Sequence, residues 1–186
     1  MAAPAEMTAR DLSGNYTLNK SLSRNNDEIL RAQGVSWMLR KTIAMGNPHL
    51  RIAHAFDGPG GVETMDNELS AANQRRRERR TFNGAERSAT GTLLGSITVG
   101  NWRRDAEEME ELEMCGCLTE GWLPETWVDG KIIYIRTTGE AGWVIHQTWG
   151  LRVVDGAKRY VRRIHLAGAK GEVVEARLVY DYDGPL

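Results

Sequence analysis

Residues 143–182 read WVIHQTWGLRVVDGAKRYVRRIHLAGAKGEVVEARLVYDY, three alternating segments separated by glycine-bearing turns. Trp143 to Val154 ends at Asp155-Gly156, Lys158 to Leu166 ends at Gly168-Ala169-Lys170-Gly171, and Val173 to Tyr182 completes the run. Asp-Gly between alternating segments is a strong short-range hairpin signal. A period of two sorts the side chains onto opposite faces of each strand. Trp143, Ile145, Gln147, Trp149, Leu151 and Val153 share one side of the first strand. Tyr160, Arg162, Ile164 and Leu166 share one side of the second, and Val174, Ala176, Leu178, Tyr180 and Tyr182 one side of the third. With the more apolar faces inward, Gln147, Trp149, Tyr160, Arg162, Tyr180 and Tyr182 meet in one interior.

The pattern extends toward the N-terminus. Lys131 to Thr138 and Trp122 to Trp127 read as strands around an Asp129-Gly130 turn. Asp105 to Leu118 is acidic and reads as a surface loop or short helix. Asn15 to Leu18, His49 to Phe56, Val62 to Ala71, Gln74 to Phe82 and Thr92 to Val99 are the earlier strand candidates. Asp57 to Gly61 reads as a turn, and Asn83-Gly84 as a hairpin. Asp27 to Met45 is the one convincing helix, with Ile29, Ala32, Val35, Leu39 and Ile43 on one face and an interruption at Gly34. Residues 1–10 read as a mobile tail, and 11–186 as one domain. The whole is an all-β chain of about nine antiparallel strands closing into a barrel, with a single N-terminal helix as lid or plug.

Composition narrows the partners. The net charge of the 186 residues is -1, so no overall field draws the chain to nucleic acid or to anionic membranes. The run Arg75-Arg76-Arg77-Glu78-Arg79-Arg80 is read as a solvated strand face opposite acidic residues. No apolar stretch approaches the length of a membrane span, and Met1 to Arg10 lacks the apolar core of a signal peptide. A cytoplasmic location is expected. Cys115 and Cys117 stand in a C-x-C without further ligands at metal-site spacing, so no metal is expected. Walker A, dinucleotide and nucleophile-elbow motifs do not occur, and no cofactor is expected. An exposed strand edge or the helix is left available for a homodimer.

The six tryptophans and only two phenylalanines suit a cavity wall, since indole and phenol carry polar handles on apolar bodies. An apolar interior with a few polar groups is how small-molecule sites are built. Arg162 and Gln147 are the polar members, and a buried guanidinium needs either an acidic partner or a ligand. His54, Phe56 and Met65 join the same interior from the earlier strands.

Several stretches together resemble a group of small fungal lipocalin-like proteins. They are Leu12-Ser13-Gly14, Asn19-Lys20-Ser21-Leu22-Ser23, Gln33-Gly34-Val35-Ser36-Trp37, Arg40-Lys41, Gly121-Trp122-Leu123, Gln147-Thr148-Trp149-Gly150, Tyr160-Val161-Arg162-Arg163 and Arg177-Leu178-Val179-Tyr180-Asp181. The resemblance spans the chain from Leu12, with Asn47 to Leu118 matching less well. The group includes hetero-Diels–Alderases of tropolone sesquiterpenoid biosynthesis. It implies a lipocalin-like barrel and a cofactor-independent pericyclase joining a tropolone-derived o-quinone methide to a humulene-type sesquiterpene. On that reading His54 or a tyrosine donates a proton to the departing hydroxyl, and Arg162 or Gln147 polarises the dienone oxygen. Trp149, Tyr160 and Tyr180 form walls and Trp37 a lid, with Phe56, Met65 and Tyr182 completing the substrate contacts. A non-catalytic carrier of a hydrophobic metabolite, or a dehydratase or isomerase on the same barrel, would use the same interior.

Overall fold

The computed structural model describes residues 1–56, 61–71 and 74–186. The turn expected over Asp57–Gly61 lies outside these, apart from its last residue. The described residues form ten strands: β1 Gly14–Leu18, β2 His49–Phe56, β3 Glu63–Ala71, β4 Gln74–Thr81, β5 Arg87–Thr92, β6 Gly95–Asp105, β7 Lys131–Gly139, β8 Val144–Val154, β9 Ala157–Ala167 and β10 Val173–Gly184. They make one antiparallel sheet in the order β4-β3-β2-β1-β10-β9-β8-β7-β6-β5. The sheet curls into a half-barrel. β1 pairs with both β2 and β10, with Tyr16 opposite Tyr182 and Leu18 opposite Tyr180, so the first and last strands lie side by side.

The curl leaves a seam. β4 and β5 are consecutive in sequence but occupy opposite edges, and no ladder joins them among the described residues. Side chains bridge the gap instead. Arg103 on β6 reaches Glu63 on β3 at 2.7 Å, and Arg80 Nη1 on β4 donates to Asn101 Oδ1 on β6 at 2.7 Å. Asn83-Gly84 is therefore not the two-residue hairpin expected. Asn83 Oδ1 accepts from Ala85 N–H at 3.1 Å, and Gly84 N–H donates across the seam to Asn101 O at 3.1 Å. The hairpin signal is local, and the sheet order separates the strands it was expected to pair.

Other differences have equally local causes. The expected helix is two helices, α1 Asn26–Ala32 and α2 Trp37–Met45. The chain turns between them at Gly34, whose φ of 85° a side chain resists, and α2 restarts where Ser36 Oγ accepts from Leu39 N–H. The expected strand Trp122–Trp127 is a 3-10 turn at Pro124–Thr126, because proline lacks a ladder donor. Thr92–Val99 is replaced by the β5–β6 hairpin, which turns at Leu93-Leu94. The acidic stretch holds two short helices, α3 Ala106–Glu110 and α4 Cys115–Thr119, with a capping box from Asp105 and Glu108 on the first. Met109 and Leu118 of these helices pack outside the barrel on Ile132 and Tyr134. Both cysteines lie on or at the start of α4 and are free.

The largest difference is at the N-terminus. Residues 1–10 were expected as a tail, yet Ala3, Met7 and Ala9 are buried in the main core with Leu12. Ala3 N–H donates to Lys158 O at 2.7 Å, and Ala9 N–H to Glu125 O at 2.8 Å. The segment closes the end of the barrel opposite α1 and α2. Its small residues carry too little apolar periodicity to announce this.

One close approach has a measurable consequence. A Cβ at Gly139 would strike the indole of Trp143, which is buried. Gly139→Ala is expected to destabilise the fold by about 1–3 kcal/mol through overpacking. Gly116→Ala on α4 meets open space and is expected to be neutral or slightly stabilising. Thermal midpoints of the two variants check this, and equal midpoints would remove the argument.

Candidate functional site

The inward faces of β8, β9 and β10 place a guanidinium among aromatic rings. Arg162 Cζ lies 3.8 Å from the Trp149 ring centroid, 5.3 Å from Tyr180 and 5.5 Å from Tyr160. Registration explains the grouping, since Arg162 stands directly opposite Trp149 on β8 and Leu178 on β10. Arg162 Nε donates to Tyr160 Oη at 2.9 Å, while its Nη2 is buried without a partner among the described residues. The hydroxyl accepts from arginine and so keeps its own hydrogen to donate. Burial pushes the Tyr160 phenol up to about 12 despite Arg162, so it is protonated at neutral pH. For Arg162, burial opposes the charge, but Tyr160 and Tyr180 outweigh it and hold the pKa above the usual arginine range.

A second guanidinium shares the indole. Arg80 Cζ lies 4.9 Å from the Trp149 centroid, and Arg80 Nη2 pairs with Glu78 Oε2 at 2.7 Å. Desolvation lowers the Arg80 pKa, Glu78 opposes that, and the charge of Arg162 adds to it. Arg80 belongs to the arginine run expected to be wholly solvated. Arg75, Arg77 and Arg79 do face out, toward Glu68 and Asp66, but the alternate face turns Arg80 into the barrel. Two cations thus share one paired carboxylate.

The other expected site residues divide. Gln147 Oε1 accepts from Trp149 Nε1 at 3.0 Å and thereby orients the indole. Tyr182 reaches the group through Tyr16, whose ring centroid is 5.4 Å from Tyr182 and 5.3 Å from Tyr160. Met65 is buried directly opposite Arg80. Trp37 does not enter the interior. It is 65% exposed on α2, beneath Lys41. Phe56 sits at the exposed end of β2, 5.5 Å from the His54 ring and under Arg10.

His54 serves the fold rather than the Arg162 group. Its Nδ1 accepts from Leu12 N–H at 3.2 Å, which places the ring hydrogen on Nε2, 2.7 Å from Glu63 Oε1. Arg103 chelates Glu63 through Nε and Nη2 and also donates to Ala9 O at 2.6 Å. Burial would raise the Glu63 pKa, but hydrogen bonds from His54 and Arg103 carry it below the ordinary carboxylate range. One imidazole nitrogen thus holds Leu12 N–H of the N-terminal segment and the other faces Glu63 on β3, away from the Arg162 group.

The interior was expected to be hollow, and of its inward side chains Gln147, Arg162 and Leu178 are half-buried. Trp149 and Tyr160 are at most 1% exposed. A cavity of about 240 Å3 lies beneath α1 and α2, lined by Leu18, Lys20, Leu30, Arg40, Ile43 and Pro48 among others.

A separate polar cluster lies on the outer face under α4. Tyr134 Oη is 2.5 Å from His146 Nδ1, and His165 is 6.5 Å from His146 between ring centroids. Burial, then Arg136, His165 and Arg104, push the His146 pKa from 6.5 down to about 4. The unfolded chain therefore takes up this proton first. Stability should fall as the pH drops from 6.5 toward 4 and level off below. Urea midpoints across that range check it, and His146→Gln should flatten the His146 share of the slope.

No protein-family model matches the chain. It is 27% identical over 187 aligned positions to a protein of Mollisia scopiformis named probable pericyclase scpY, covering 99% of this chain and 96% of that one. It is 26% identical over 192 positions to pericyclase pydY of Acremonium sp., covering 100% and 98%. Among solved structures it is similar to Caenorhabditis elegans lipid binding protein 8, with a TM-score of 0.59 at 13% identity over 96% of this chain and all of that one. A Schistosoma mansoni fatty acid binding protein in complex with arachidonic acid gives a TM-score of 0.55 at 14% identity over 96% and 98%. These likenesses show a lipocalin-like β-barrel fold.

Proposed function

From its full-length kinship with fungal pericyclases we infer that this chain catalyses a pericyclic ring closure inside the barrel. The observation that carries the reading is Arg162, stacked on Trp149, bonded to Tyr160 and left with a free donor. A guanidinium N–H aimed at a conjugated carbonyl draws electron density from the reacting π-system and stabilises charge that develops on oxygen. The Tyr160 hydroxyl supplies a second donor beside it. With His54 engaged elsewhere, Tyr160 is also the group that hydrogen-bonds a departing hydroxyl. Trp149, Tyr160 and Tyr180 hold flat, greasy partners in register, and orientation of this kind supplies about 7–11 kcal/mol in the best cases. Exclusion of water protects an electrophilic intermediate.

The specific reaction proposed is the hetero-Diels–Alder addition of a tropolone-derived o-quinone methide across an alkene of a humulene-type sesquiterpene. Loss of water from the tropolone alcohol yields the quinone methide, and cycloaddition then forms one C–O and one C–C bond. No other reagent is consumed. Substrates enter by opening the barrel wall. The β4–β5 seam is where this breaks fewest backbone hydrogen bonds.

The test is incubation of the purified protein with tropolone alcohol and humulene alcohol. A raised adduct yield of single stereochemistry is expected. A product mixture identical to the uncatalysed one would remove this reaction. The fatty-acid-binding likeness favours a second reading, a carrier. Tight binding of either alcohol without any rate enhancement would establish that instead.

A further inference from the structure

We propose that the outer wall of the barrel carries a separate anion site, in which Arg24, Arg152, Arg163 and Arg177 bind a phosphoryl dianion. The site lies on the face of β8, β9 and β10 turned away from Arg162, and it does not depend on the ring-closure reading.

Strand register brings the four arginines together. Arg163 on β9 stands directly opposite Arg177 on β10, and Arg177 bridges to Arg24 ahead of α1. Arg24 N–H donates to Arg177 O at 2.8 Å, and Arg177 N–H to Arg24 O at 3.2 Å. Arg152 on β8 joins through a shared acceptor. Its Nη1 donates to Glu120 O at 3.2 Å, and Arg163 Nη1 donates to the same oxygen. Arg177 Nη2 donates to Leu22 O at 3.1 Å, while its Nε is buried without a partner among the described residues. Arg24 is exposed and the other three are half-buried, so the cluster meets solvent.

Charge is what these contacts leave unanswered. The acceptors are neutral carbonyls, and none of the four guanidiniums forms an ion pair among the described residues. On the same outer wall Arg159 pairs with Asp181, and Arg136 with Glu86. Burial and then the charge of Arg152 lower the Arg163 pKa, against the pull of Cys117, Glu120 and Glu175. Burial, then Arg24 and Arg152, lower that of Arg177. The cations therefore repel one another. Burial pushes the Cys117 thiol up to about 11, so it stays neutral. Four guanidiniums thus face two carboxylates, Glu120 and Glu175, an excess of two positive charges. The net charge of -1 for the whole chain conceals it.

A dianion cancels that excess. A phosphate monoester carries close to two negative charges at neutral pH and three acceptor oxygens, and guanidinium forks bond such oxygens in parallel. A carboxylate or a phosphodiester brings only one charge. Beside the cluster, half-buried Leu22 and Trp122 pack on Val161 and Val179, an apolar surface for the organic part of an ester.

The test is calorimetric titration of the full chain with phenyl phosphate, diphenyl phosphate and benzoate at constant ionic strength. Phenyl phosphate should saturate a single site and bind about 10-fold or more tightly than either monoanion, the worth of a further charge-assisted hydrogen bond. Arg163→Gln should weaken it by about 10-fold or more for the same reason. Arg152 still holds the Glu120 carbonyl in that variant, so the end of α4 stays tied. Arg152→Gln should give the same loss with Arg163 left in place. Arg136→Gln removes a paired cation from the same wall and should leave binding unchanged. Phenyl phosphate should raise the thermal midpoint of the unaltered chain but not that of Arg163→Gln, a response that a merely structural arginine would not give. Sedimentation with vesicles containing phosphatidate, against phosphatidylcholine alone, separates the sources. Capture assigns the phosphoryl group to a lipid headgroup, and its absence to a soluble ester. Equal binding of monoester and diester overturns the dianion. Equal loss in Arg136→Gln, or no saturation at constant ionic strength, overturns the site.

Discussion

Arg162→Met is expected to lower the rate of cyclisation by about 10²–10³-fold, the usual cost of removing one donor aimed at developing negative charge. Methionine keeps volume and apolar contact with Trp149, so the loss is one of charge and of directed N–H groups. Removing Arg162 also leaves Tyr160 Oη without the bond it accepts at 2.9 Å, a modest cost to stability. The fold should survive, because the variant also removes a buried cation that lacks a carboxylate partner. Arg162→Lys should recover little. An ammonium cannot stack on indole as a plane or offer two parallel donors. The measurement is turnover of the tropolone and humulene alcohols, with thermal midpoint as the control for folding. A variant that folds and retains full rate and stereochemistry would exclude Arg162 from the chemistry.

The second large effect is on stability. Glu63→Ala is expected to destabilise the chain by about 3–5 kcal/mol, because it strands the Arg103 guanidinium beside an emptied site. Arg103 and His54 side chains are only 13% and 0% exposed, so water cannot easily take the place of the carboxylate. For a chain of this size the thermal midpoint should drop by about 10 °C or more. The same three groups hold Leu12 N–H and Ala9 O. Loss of Glu63 should therefore expose residues 1–12 to protease before the remainder of the barrel unfolds. Pairing Glu63→Gln with Arg103→Met removes the stranded charge and should recover much of the loss. Unchanged proteolysis of the N-terminal segment in Glu63→Ala would show that this triad does not pin it.

The C-terminal hairpins were legible because their signals are local. Asp155-Gly156 and Gly168 to Gly171 break the chain where the strands end, and period two gave the inward face of β8, β9 and β10. Arg162, Trp149, Tyr160 and Tyr180 were thereby grouped from spacing alone. His54 was also placed inward, but parity carries no height. It could not say that β2 delivers this imidazole to the end of the barrel closed by residues 1–12. Arg80 escaped for another reason. β4 is charged on both faces, so alternation there offers no apolar side to choose. The one usable signal was that Arg76, Glu78 and Arg80 share a face, which would have put an acid beside a base on whichever side turned in.

Strand faces, turn positions and the existence of an early helical region follow from dihedral preferences and side-chain alternation, which neighbouring residues set among themselves. Which strands become edges, where the seam falls, what plugs the barrel and which buried cation lacks a counter-charge depend on residues far apart in the chain. Those contacts form only when the sheet curls, because the free energy that selects them comes from burial and charge pairing across the barrel and not from any short segment.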